Sequence, residues 1–82
     1  MKKEITVKTT SVYDARSLAE LVGVANGFSS HISLVMGNWK INAKSIMGVT
    51  GIGLDVDKVI TVEAEGKDEA EAIRAIEEFL IR

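Results

Sequence analysis

The chain has 82 residues, of which 46% are hydrophobic, 27% charged and 5% aromatic, with a formal net charge of -2. That length holds one domain, 1–82, able to bury roughly 60–65% of its unfolded surface, and the apolar share excludes intrinsic disorder. With no cysteine and a single histidine, His31, disulfide scaffolds, thiolate or paired-histidine metal sites and cysteine catalysis are excluded, while the acidic balance offers no footprint for direct nucleic-acid binding.

Lys3 to Thr9 alternates polar and apolar residues, the period of a half-buried strand, with Ile5 and Val7 toward the core. Asp14 then precedes a helix in which Leu18, Leu21, Val22 and Ala25 share a face, and Asn26-Gly27 supplies its stop. His31 to Met36 alternates again, with Ile32, Leu34 and Met36 inward. Gly37-Asn38 signals a two-residue hairpin, and Trp39, Ile41 and Ala43 alternate in the returning strand. On that register Trp39 is expected to be partly buried.

Ser45 can cap a short apolar helix from Ile46 to about Ile52, intrinsically weak because of its glycines and therefore dependent on packing. Val59 to Glu65 is a fourth strand with Ile60, Val62 and Ala64 on one face. Asp68 and Glu71 have the spacing of a capping box for a last helix striped by Ala72, Ile73, Ile76, Phe79 and Leu80. Glu78 and Arg82, four apart, add modest support. The predicted class is α+β, an open-faced sandwich with a four-stranded antiparallel sheet and three helices on one face (βαββαβα). Its other face would be solvated, presenting Glu4, Thr6, Lys8, Ser33, Lys40, Asn42, Thr61 and Glu63.

From Leu21 to Trp39 no residue is charged at full strength, but glycines, serines and asparagines interrupt the run, so it is no spanning helix. The N-terminus leads into alternation instead of an apolar signal region. A soluble cytoplasmic chain with no membrane partner is expected.

Chemistry concentrates where helices begin. Asp14 reads first as an N-cap; its sharper alternative is anion handling together with Arg16. Ser45 likewise reads as an N-cap by default and as a phosphoacceptor by alternative, since a phosphate there adds about −1.5 to −2 charges where the helix dipole favours them. Ile46, Met47 and Val49 beside it are either core or an apolar docking patch. His31 reads as a solvated loop histidine, and the glycines at 48, 51 and 53 form neither a dinucleotide fingerprint nor a P-loop. No cofactor or metal is implied.

The element order and both helix starts resemble the HPr family, the small phosphocarriers of the bacterial sugar phosphotransferase system. Lys44-Ser45-Ile46-Met47-Gly48-Val49 matches that family's regulatory serine motif, with Asn42, Gly53, Ile60-Thr61-Val62, Ala64, Gly66 and Asp68-Glu69 in step. The family's active site reads His-Ala-Arg-Pro, whereas this chain has Asp14-Ala15-Arg16-Ser17, and Val12 stands for the usual glycine. A carrier needs a nitrogen nucleophile that titrates near neutral pH; a carboxylate forms an acyl phosphate instead and repels the incoming group. Thr50, where the family commonly has methionine, suggests weakened docking to enzyme I.

The combination is most similar to the family's histidine-less, Crh-type (catabolite repression HPr-like) group, although that group keeps the proline and usually has glutamine at the position of Asp14. The resemblance implies a non-enzymatic regulatory protein, phosphorylated on Ser45 by an ATP-dependent HPr kinase/phosphorylase and read by a LacI-type catabolite regulator. Arg16, Ser17, Ile46, Met47, Val49 and Thr50 would form the partner-binding surface. Two alternatives stay open: a phosphocarrier using Asp14 as acceptor, and an unmodified decoy or binding module. A monomer or weak homodimer is expected, since the sheet has exposed edges.

Overall fold

The computed structural model describes residues 1–8, 15–51 and 57–81. Alternating segments become strands β1 (Lys2–Thr6), β2 (His31–Met36), β3 (Trp39–Asn42) and β4 (Val59–Glu65). Segments with period 3.6 become helices α1 (Ala15–Asn26), α2 (Ile46–Gly51) and α3 (Glu69–Ile81). Among the described residues the order is the predicted βαββαβα. The strands lie in the sequence β1-β4-β2-β3, and every neighbouring pair is antiparallel.

Register explains which side each residue faces. Ile5 pairs with Ile60, Leu34 with Val62 and Ile32 with Ala64, and all six are buried beneath the helices. The apolar stripe of α3 meets them: Ala72, Ile73, Ile76, Phe79 and Leu80 are buried, as are Leu18, Leu21 and Ala25 of α1. The opposite sheet face stacks Lys2, Glu63, Ser33 and Asn42 in one row and Glu4, Thr61, Val35 and Lys40 in the next, with Lys40 bridged to Glu63 at 3.3 Å. His31 opens β2 opposite Glu65, exposed as expected but in a strand instead of a loop.

Three expectations change. The first strand ends at Thr6, yet Val7 is fully buried: its N–H donates to the Lys58 carbonyl at 2.8 Å and its carbonyl accepts the Asp57 N–H at 2.7 Å. Asp57 serves that exchange with a left-handed φ of 70°, a conformation aspartate tolerates. Trp39 is 62% exposed. It opens the edge strand at the hairpin, where Gly37 takes a φ of 61° as a type II′ turn requires, while α2 packs through Gly48 on Ile41, two residues further along. Thr9, Ile52 and Arg82, and so the Glu78–Arg82 pair, lie outside the described residues.

The third change is at the start of α3. The Asp68 carbonyl begins the helix by accepting the Ala72 N–H at 2.9 Å, but its carboxylate is taken by the α1–β2 turn and not by a capping box with Glu71. Oδ1 accepts the Ser30 hydroxyl and the Ser30 N–H (3.0 Å); Oδ2 accepts the Ser29 N–H (2.9 Å) and, at 3.4 Å, its hydroxyl. These donors, the Ser30 hydroxyl foremost, favour the ionised form and lower the Asp68 pKa from 3.8 to about 2. The folded carboxylate therefore titrates below the unfolded one. Its stabilising contribution is complete above 3.8 and is lost as pH falls from there through about 2. Asp68→Asn should be less stable than the parent at neutral pH, and the gap should close across that acid window when unfolding is followed by circular dichroism. A gap that stays constant with pH would mean that the clamp does not depend on charge.

Candidate functional site

β3 ends at Asn42, whose side chain and backbone both shape the turn into α2. Its Oδ1 accepts the Lys44 N–H at 2.9 Å, and its carbonyl accepts the Ser45 N–H at 3.1 Å. The Ser45 carbonyl then accepts the Val49 N–H at 3.0 Å, the first helical bond, which makes Ser45 the N-cap of α2. Its hydroxyl accepts from the Gly48 N–H at 3.4 Å, a long and weak capping contact. The half-buried Ser45 thus has a fixed backbone and a loosely engaged Oγ.

The helix rotates 100° per residue, and that rotation sorts its apolar residues. Val49 points inward and is fully buried; Met47, two positions back, is 83% exposed, and Ile46, three back, is 41% exposed. Of the expected docking residues, Val49 is therefore corrected to core, whereas Ile46 and Met47 lie on the surface. Gly48 faces β3: a Cβ there would stand at ordinary contact distance, 3.5 Å from the Ile41 Cβ and 3.6 Å from the Asn42 carbonyl oxygen. Packing thereby holds a six-residue helix that propensity alone would not.

The other expected site divides. Arg16 is exposed in the first turn of α1, but Ser17 is buried against the core side and offers a partner little, a second correction. Asp14 lies outside the described residues, as do Val12 and Gly53, and the side chain of Thr50 is likewise not described. The residue of α1 that bonds the turn before Ser45 is Asn26, ten residues or about 15 Å along the helix axis from Arg16.

That contact was not foreseen. Asn26 Nδ2 donates both to the Val22 carbonyl one turn back (2.9 Å) and to the Lys44 carbonyl (3.2 Å). Lys44 answers with its own side chain, Nζ donating to the Phe28 carbonyl at 2.7 Å. In the sequence Asn26 carried only a helix-stop signal, because a bond across 18 positions leaves no periodic trace.

A family model described as the PTS HPr component phosphorylation site matches residues 1–82. Over 80 residues the chain is 38% identical to the HPr-like protein Crh of Halalkalibacterium halodurans, covering 98% of this chain and 95% of that one. The crystal structure of the phosphocarrier protein HPr from Bacillus anthracis is similar at a TM-score of 0.92 and 31% identity, over 98% and 95% of the two chains. The structure of Crh from Bacillus subtilis, described as a swapped, intertwined dimer, is similar at a TM-score of 0.77 and 32% identity, over 93% and 83%. The open-faced sheet, the helix start at Ser45 and the match over the full chain lead to one assignment: this chain belongs to the HPr family of the phosphotransferase system.

Proposed function

We propose that this protein is an HPr-like regulator that lacks the phosphoryl-carrying histidine and is switched by phosphorylation of Ser45, acting in the cytoplasm on carbon catabolite repression. The observation that carries the reading is the pairing of a loosely held Ser45 hydroxyl with exposed Ile46 and Met47, in a chain whose one histidine, His31, stands in β2 and not at the start of α1. Similarity to a Crh protein supports it.

In the proposed step the Ser45 Oγ attacks the γ-phosphorus of ATP. The new O–P bond replaces the bond to the leaving oxygen of ADP, and the hydroxyl proton passes to a base of the HPr kinase/phosphorylase. The product carries about −1.5 to −2 charges at the start of α2, beside two apolar side chains. A LacI-type regulator reading charge and apolar surface together is the proposed partner; enzyme I is a weaker one, with Arg16 contributing a cation. The protein is a substrate and a ligand for others, in a family of carrier and regulatory proteins and not of enzymes.

Two parallel incubations test this: ATP with HPr kinase, and phosphoenolpyruvate with enzyme I, each followed by intact mass and fragmentation. Label on Ser45 in the first tube alone is expected. Acid-stable, hydroxylamine-sensitive label on Asp14 in the second would reinstate the carrier, and two empty tubes would favour the decoy. Because Met47 is largely exposed, Met47→Ala should change stability by no more than about 0.5 kcal/mol. It should nonetheless weaken regulator binding by the phosphorylated form about tenfold, as loss of an apolar anchor does, measurable by calorimetry.

A further inference from the structure

The turn before Ser45 is held by a reciprocal clasp between the end of α1 and the start of α2. Asn26 reaches from α1 to the Lys44 backbone, and the Lys44 side chain reaches back to the backbone just beyond α1. We infer that Asn26 is a positioning residue for phosphoryl transfer to Ser45, fixing the Lys44 carbonyl so that the backbone carrying the acceptor hydroxyl is held in one orientation. The inference rests on the Ser45 reading and adds to it a residue outside the Lys44–Val49 motif.

The chemistry asks for asparagine. The Val22 and Lys44 carbonyls converge on one nitrogen, at 2.9 and 3.2 Å, and each needs its own hydrogen. A carboxamide has two hydrogens on one nitrogen at the end of a short stem; serine has one donor and aspartate none. With the clasp closed, the Lys44 N–H, the Lys44 carbonyl and the Ser45 N–H are all bonded. The weak point is the Ser45 hydroxyl, whose 3.4 Å contact with Gly48 yields readily. A rigid backbone carrying an available hydroxyl is what in-line attack on a γ-phosphorus requires: the Oγ–P bond can form as the bond to ADP breaks without first ordering the loop.

Asn26 is exposed, on a helix face that does not carry the apolar docking residues, so its replacement separates positioning from recognition. Asn26→Leu keeps the approximate shape, removes both donors and suits the end of a helix. Steady-state phosphorylation by HPr kinase and ATP is measured for the parent, Asn26→Leu and Asn26→Gln, with melting temperature alongside. For Asn26→Leu, kcat should fall about five- to tenfold, as modest misplacement of a reacting group does, while KM moves by less than about twofold because the docking surface is intact. Asn26→Gln, which restores the carboxamide, should recover at least part of kcat.

An unchanged kcat in Asn26→Leu overturns the inference and leaves Ser45 as acceptor. An effect confined to KM overturns it in favour of direct kinase contact, and a loss that tracks melting temperature and is not rescued by Gln overturns it in favour of a purely structural role. A parent chain that takes no label on Ser45 removes the underlying reading, and the inference with it.

Discussion

Gly66→Ala should lower stability by about 3 kcal/mol, or roughly 12–24 °C in Tm for a chain of this size. A Cβ at Gly66 would stand 2.6 Å from the Ser30 hydroxyl oxygen and 2.8 Å from the Ser30 Cα. The hydroxyl could rotate away; the Cα is backbone and cannot. The φ of 152° adds strain of its own, because side-chain-bearing residues rarely adopt it. Relief would require the β4–α3 turn to move off the α1–β2 turn, which would pull Ser30 from Asp68. Gly66→Ala and Asp68→Asn therefore break the same clamp, and the double variant should lose less than the two single losses combined. Thermal unfolding of the four proteins decides the matter. A Gly66→Ala loss below about 1 kcal/mol would show that the turn accommodates the methyl group cheaply.

Ser45→Ala should abolish kinase labelling altogether, while costing at most about 1 kcal/mol of stability. The stability cost is small because the capping contact is long and the helix it caps has six residues. The functional cost is large because no other atom can replace the Oγ. A regulator that grips the phosphate through two charge-assisted hydrogen bonds would lose affinity on the order of 100-fold or more when none is present. Mass spectrometry after incubation with ATP and kinase, and titration of the regulator with both forms, supply the two readouts. Label persisting in Ser45→Ala would place the acceptor elsewhere. Equal binding by modified and unmodified chains would favour a decoy.

The parts of the fold written in short-range pattern were legible. Period two located the four strands and put Ile5, Ile32, Leu34, Ile60 and Val62 in the core; period 3.6 located the buried stripe of α3. Features set by what lies across space were not. Nothing near Asp68 in sequence announces that its carboxylate will serve Ser29 and Ser30, nearly 40 positions earlier. Trp39 shares the inward register of Ile41, yet it is exposed, while Gly48 of α2 faces Ile41 and Asn42 further along the edge strand. At the candidate site the motif from Lys44 to Val49 was visible as letters. Only the direction of each side chain separated Val49, a core residue, from Met47 on the surface. Asn26, which braces the turn, carried no signal beyond that of a helix stop, and Asn42 stood in step with the serine motif without any sign that its side chain would hold the Lys44 N–H.

The position of Trp39 also governs how this chain can be watched. It is the one tryptophan, and its ring is already mostly in water in the folded state. Denaturation transfers little of it from an apolar to an aqueous setting, so indole fluorescence should report unfolding poorly and understate its cooperativity beside far-ultraviolet ellipticity. The same insensitivity gives a dark background against association. Any molecule or second copy that settles on the open edge of β3 would dehydrate the indole and shift its emission to the blue without the fold changing.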